Sequence, residues 1–137
     1  MIPALIRKMV EAQERGESEV VLWGDGSPTR EFLYVEDCAE ALVLAAQRYD
    51  GPEPANLGTG EEISIRTLAM LVAELTGYDG EIAWDTSKPN GQPRRQLETS
   101  KAEELFGFRA STALREGLER TIAWYRTSAP QASSARL

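Results

Sequence analysis

Cations and an indole, rather than nucleophiles, are the residues of this chain best suited to chemistry. Arg7 and Lys8, Trp23, Arg30, then Lys88, Asn90, Arg94 and Arg95 sit at the ends of predicted elements. An arginine fork binds phosphate bidentately, a lysine acts as a point charge, and an indole offers a flat apolar face to a ring. Together they suit a diphosphate that carries a base. The chain holds 22 acidic against 15 basic residues, a net charge of -7, so cations gathered in a few stretches stand out. Their spacing alone leaves a plainer assignment open: Arg7 and Lys8 as a solvated helix face, Trp23 as core, and the two loop arginines as aids to solubility.

The tools of other chemistries are missing. With no histidine, the commonest general base and the commonest zinc ligand are absent, and no residue is assigned a catalytic or metal-binding role. A dinucleotide-binding turn needs G-x-G-x-x-G at a helix N-terminus. Gly24-Asp25-Gly26 has Thr29 at the third glycine position and Gly58-Thr59-Gly60 has Ile63, so neither completes it. A dehydrogenase dyad needs a lysine four residues after a tyrosine, to lower the phenol's pKa. Cys38, Glu53, Ile82 and Ala129 stand at that position after Tyr34, Tyr49, Tyr78 and Tyr125. No cofactor is expected to bind these residues. Cys38 is the single cysteine, which excludes an internal disulfide and favours the reducing cytoplasm; it reads as a small core residue. No apolar run reaches the roughly 18 to 20 residues of a membrane span, and MIPALIRKMV lacks a signal peptide's order. The acidic balance repels a polyanion, so neither membrane nor nucleic acid is an expected partner.

Such a site needs elements to position it. At 137 residues with 42% hydrophobic composition, one domain with an apolar core is expected. Leu5, Ile6, Met9 and Val10 recur at helical spacing and predict a helix over 3–15, stopped by Gly16. Val20 to Trp23 reads as a strand closed by a tight turn at Gly24-Asp25-Gly26, and Glu31 to Val35 as a second strand. Asp37 with Glu40 offers a capping box for a helix ending near Tyr49, with Cys38, Ala41, Leu42 and Ala45 on one face. Ala55-Asn56-Leu57 reads as a short strand before Gly58-Thr59-Gly60. Ser64 caps a helix striped by Ile65, Leu68, Ala69, Val72 and Leu75 and ended by Gly77. Glu81 to Trp84 is a strand, and the polar stretch from Asp85 to Arg95 a loop. Ser100 and Glu103 suggest a capping box for a helix stopped by Gly107, and Leu114, Leu118, Ile122 and Tyr125 stripe the last helix before a tail expected to fray.

Four blocks carry a family likeness: Ile2-Pro3-Ala4-Leu5-Ile6-Arg7-Lys8, then Trp23-Gly24-x-Gly26-x-x-x-Arg30-Glu31-Phe32-Leu33-x-Val35-x-Asp37, then Asn56-x-Gly58-Thr59-Gly60, then Ser87-Lys88-Pro89-x-Gly91-x-Pro93-Arg94. In order, they resemble the C-terminal part of the GDP-L-fucose synthases, within the NAD-dependent epimerase/dehydratase family of extended short-chain dehydrogenase/reductases. Arg-Glu-Phe and Asn-x-Gly-Thr-Gly recur across relatives that handle nucleotide sugars, whereas the Lys-Pro-x-Gly-x-Pro-Arg loop points to the fucose synthase branch.

The resemblance implies a small α/β substrate-binding domain over residues 1–127, with short strands, about five helices and no Rossmann cofactor domain, and a disordered tail over 128–137. It implies that Lys8, Trp23, Arg30 and Asn90 contact a GDP-sugar, with Arg95 where another basic residue lies near it. Lys8 stands where an arginine is also used, and Asn90 where an aspartate is common. The family reaction inverts two carbons beside a ketone and then reduces that ketone with hydride from NADPH. The residues matching its fingerprint and catalytic groups lie upstream, so this chain alone is expected to be inactive. The helix over 37–48 and the strand at 55–57 are implied to pack on the cofactor domain, which makes an N-terminal Rossmann half or a homodimer the expected partner. A stand-alone nucleotide-sugar-binding or interaction module without catalysis is the alternative.

Overall fold

The computed structural model describes residues 1–134. Helix α1 (Ile2–Arg15) places Leu5, Ile6, Met9 and Val10 on one buried face, and ends at Gly16 in the left-handed conformation that glycine adopts at low cost. Strand β1 (Glu19–Trp23) alternates, with Val20 and Leu22 buried and Glu19, Val21 and Trp23 exposed. Strand β2 (Thr29–Arg30) follows, then α2 (Val35–Arg48), β3 (Ile63–Ser64), α3 (Ile65–Thr76), β4 (Glu81–Asp85), β5 (Arg94–Arg95), α4 (Ser100–Phe106) and α5 (Leu114–Ser134). Five helices and short strands make the expected α/β architecture, with α5 carrying its helical backbone into the stretch from 128 that was expected to fray. Residues 135–137 of that stretch lie outside the described residues.

Two small sheets organise the chain. β1 runs parallel to β4, with Trp23 opposite Asp85, while β2 pairs antiparallel with β3 and parallel with β5, which sets Arg30 opposite Arg95. The main core lies between α1, α3, α5 and the inner face of β1, where Ile6, Met9, Leu68, Val72 and Leu118 are almost wholly excluded from water. A second, smaller core gathers Ala41, Ala102, Phe106 and Phe108 between α2 and α4.

Several local expectations give way to longer-range hydrogen bonding. Glu31 to Val35 forms no strand, because Glu31 turns its carboxylate to other segments and α2 already begins at Val35. Asp37 does not cap that helix. Its buried carboxylate accepts from Thr112 N (3.0 Å), Thr112 Oγ1 (2.9 Å) and Ser111 Oγ (3.3 Å), fastening α2 to the entry of α5. On α2, Ala41 is buried as expected, but Leu42 is 60% exposed. Ala55 to Leu57 pairs with no strand among the described residues. The Ser100 and Glu103 box is absent: Thr99 is the N-cap, and Ser100 N donates to Glu98 Oε1. The Ser64 cap does form, accepting from Thr67 N at 3.0 Å.

Candidate functional site

Successive residues of a strand point to opposite faces, and this sorts the cations of β2 and β5. On one face of β5, Arg94 is bound to Glu62, with Nε at 2.8 and 3.0 Å from its two carboxylate oxygens. Thr29 Oγ1 donates to the same carboxylate at 2.7 Å. The Arg94 guanidinium, and after it the Thr29 hydroxyl, hold the Glu62 carboxyl below the ordinary glutamate range. Arg94 is therefore a structural cation, which partly supports the plainer assignment. The neighbouring Arg95 is different: it pairs in register with Arg30 and has no carboxylate within 4 Å among the described residues.

Lys8, Arg30 and Lys88 likewise lack a carboxylate partner among the described residues. Trp23, the last residue of β1, is 68% exposed and so is no core residue; the Lys88 ammonium lies 5.8 Å from its ring centroid. A cation at that distance is attracted by the negative face of the ring. Arg30 Nη1 donates to the Thr29 carbonyl at 2.6 Å, and its Nη2 would lie 3.8 Å from a Cβ placed on Gly91 in the Lys88 loop. Lys8 reaches across from α1, its ammonium donating to the Val21 carbonyl at 2.9 Å. The bonds Gly24 N to Asp85 O and Glu81 N to Ser18 O put the even-numbered residues of β1 in the ladder, so the Val21 carbonyl lies on the unpaired edge. Arg7, by contrast, pairs with Glu11 at 2.7 Å and belongs to the solvated helix face.

Asn90 closes the group from the loop side. Its Oδ1 accepts from Asp25 N at 2.8 Å, locking the loop over the turn after Trp23. Gly24 has φ +80, and a Cβ there would collide with the Asn90 side chain, so glycine is required both for the turn and for this approach. The Asn90 Nδ2 amide has no protein acceptor among the described residues and remains a donor. Arg66, which the sequence reading passed over, supports the turn from beneath: Nη2 donates to the Asp25 carbonyl, and its guanidinium lies 4.8 Å from the centre of Trp84. Of the five residues singled out from the sequence, Asn90 meets the turn after Trp23, Lys8 the carbonyl two residues before it, and Arg30 approaches Gly91, while Arg95 is tied to them only by its register with Arg30.

Glu31 was also missed. Its Oε1 accepts from Thr59 N (2.5 Å) and Gly60 N (3.1 Å), and its Oε2 from Leu97 N (2.9 Å). A signal was present in the sequence: an acid fixed between Arg30 and Phe32 in a motif, with no cation at helical or strand spacing to pair with it. The bonds also explain Gly58, where a Cβ would collide with the Glu31 carboxylate. They bear on the cofactor too. The backbone N–H groups of Thr59 and Gly60, which an anion-binding glycine turn would offer to a pyrophosphate, already serve a carboxylate. The Gly24–Gly26 turn leads into β2 rather than into a helix. These residues do not fit a dinucleotide.

A cavity of about 940 Å³ lies elsewhere, between Phe32, Tyr34, Leu118 and Trp124. Its wall is mainly apolar and its cation, Arg120, is paired with Glu36 and Glu116, so it is no diphosphate site. No helix of the described residues is long and apolar enough to cross a membrane.

Known proteins resemble this chain in sequence and in fold. The sequence profile of the NAD dependent epimerase/dehydratase family matches residues 1–58. GDP-L-fucose synthase 1 of Arabidopsis thaliana is 47% identical over 125 residues, which are 91% of this chain and 38% of that protein. The chain is thus similar to part of the proteins of the NAD dependent epimerase/dehydratase family. A further family member, the GDP-L-fucose synthase of Sinorhizobium fredii, is 44% identical over 121 residues, covering 88% of this chain and 38% of that one. In structure, the chain is similar to a GDP-L-fucose synthetase from Naegleria fowleri bound to NADP, with a TM-score of 0.87 at 29% identity, covering 94% of this chain and 40% of the other. The chain therefore spans about two fifths of the length of these family members.

Proposed function

We propose that this chain is the substrate-gripping portion of an epimerase/reductase of the GDP-L-fucose synthase type, and that it clasps the diphosphate and base of a GDP-sugar. The observation that carries the reading is a set of cations without carboxylate partners among the described residues: Lys88, 5.8 Å from the exposed ring of Trp23, Lys8 on the Val21 carbonyl, and Arg30 and Arg95 opposite one another. In an acidic protein, unpaired cations beside a bare indole provide phosphate recognition and a stacking surface together. Asn90 adds an amide donor fixed by its bond to Asp25.

In the complete enzyme, NADP would supply hydride to the keto group of GDP-4-keto-6-deoxy-mannose on the way to GDP-fucose. The residues described here would bind and orient; no proton or hydride transfer is assigned to them, and the chain alone would be inactive. The cytoplasm, where such metabolism runs, is the compartment this reading implies. An exposed apolar stripe on α2, Val35, Leu42 and Val43, at 70, 60 and 56% exposure, favours a covering partner. An N-terminal Rossmann half is that partner in this reading, with a homodimer as the other arrangement. The continuous core of α1, α3 and α5 favours the rival view, a nucleotide-sugar module that stands alone.

Titration calorimetry with GDP tests the site. Binding should weaken about tenfold or more in Arg30→Ala, in keeping with the roughly 1.5–3 kcal/mol of a charged hydrogen bond, and in Trp23→Ala, in keeping with the roughly 1–3 kcal/mol of a base stacked on an aromatic ring. GDP that fails to bind, or that binds both variants as well as the parent, refutes the site. Turnover on adding an N-terminal half separates the enzyme portion from the stand-alone module.

A further inference from the structure

Resting on the reading above, we propose that Glu31 is a positioning residue which, by tying the Gly58–Gly60 turn to the segment after β5, holds Arg95 in place beside Arg30. β5 is two residues long, too short for its ladder with β2 to fix a side chain unaided. Its position depends on what grips it at either end. Ahead of Arg95, Arg94 is anchored on Glu62. Behind it, Leu97 N donates to Glu31 Oε2 at 2.9 Å, and Gln96 Nε2 donates to the Gly60 carbonyl at 2.6 Å. The other Glu31 oxygen takes Thr59 N and Gly60 N, so one carboxylate joins two segments that lie 28–29 and 66 residues from it.

No lysine or arginine lies within ion-pair distance of Glu31 among the described residues; backbone amides alone satisfy its charge. Charged hydrogen bonds of this kind are about twice as strong as neutral ones. Because Arg30 and Glu31 are consecutive, the same stretch aims its guanidinium at the site on one face and its carboxylate at the scaffold on the other. A glutamine cannot replace it: an amide offers one acceptor where two are used, and sets its own NH2 against a backbone N–H.

The test compares the 137-residue chain with Glu31→Gln, Arg95→Ala and the double variant, reading GDP affinity by calorimetry and backbone amide hydrogen exchange. Expected for Glu31→Gln are faster exchange at Thr59, Gly60 and Leu97 with β1 and β4 unchanged, and GDP binding weakened about tenfold. The double variant should bind within about twofold of Arg95→Ala, because residues acting through one another are not additive. Unchanged exchange at those three amides, full affinity in Glu31→Gln, or losses that add completely each overturn the role of Glu31. A parent chain that does not bind GDP instead overturns the site itself, whatever the exchange pattern. Should Glu31→Gln fail to fold, Glu31→Asp, which keeps the charge and shortens the reach, is expected to show the same order of effects at smaller size.

Discussion

The two cores of this chain are unequal. Apolar side chains from α1, β1 and α5 close over the inner face of α3, and Leu68, Ala69 and Val72 are wholly excluded from water. Between α2 and α4, a few residues centred on Phe106 and Phe108 form a smaller cluster, while Val35, Leu42 and Val43 lie bare on the outer side of the same helix. The first region satisfies itself. The second is finished on one face only, and its lower self-sufficiency matches a part shaped to be covered. The cation group at the end of β1 is built mainly on the first region, and the three-stranded sheet carrying Arg30 and Arg95 links it to the second.

The sharpest way to break this contrast is inside the larger core. Leu68→Ala should cost about 2–5 kcal/mol in denaturant unfolding, since nothing around that position can collapse into the space. Next comes the tie between the regions. Asp37→Ala strands the half-buried N–H of Thr112 and should cost about 1–3 kcal/mol; loss of a single cooperative transition would show that α2 and α4 then melt separately.

A smaller effect follows from pH. The Glu62 carboxyl lies below its ordinary 4.5 because Arg94 and then Thr29 donate to it. A group with a lowered folded-state pKa contributes in full above the unfolded value and loses that contribution as pH falls through the folded one. The Arg94 Nε–H resonance should therefore hold steady from neutrality down to the ordinary carboxylate range, then shift as the pair opens. The smallest effect is expected at the bare face. Leu42→Gln should change the stability of this chain by less than about 0.5 kcal/mol, yet weaken association with an N-terminal half. A loss as large as that of Leu68→Ala would mean that α2 is not an open surface.

How much of this could be read beforehand depended on the range of the interaction. Helix α3, its Ser64 cap, its apolar stripe and its Gly77 stop all follow from neighbours within four residues. β1 was legible from its run of β-favouring residues and its glycine turn. The failures share a cause: Asp37 and Glu103 were weighed only against nearby partners, and Glu31 against none. Two of those carboxylates satisfy themselves far along the chain, at Leu97 and at Thr112. The different fates of Arg94 and Arg95 were equally hidden, because strand alternation matters only once β5 is known to pair with β2. The five site residues emerged from residue type and family likeness rather than from any local pattern.

Lys8 links binding to colloidal behaviour. An unpaired strand edge is a template onto which a second polypeptide can add in register, and lysine is among the residues that deter this. With its ammonium on the Val21 carbonyl, Lys8 obstructs the bare edge of β1 at its midpoint. A nucleotide that drew the side chain toward its phosphates would lift that obstruction while shielding the neighbouring indole. Removing the lysine would leave the edge bare at all times, so on the proposed function a single side chain would serve both solubility and ligand affinity.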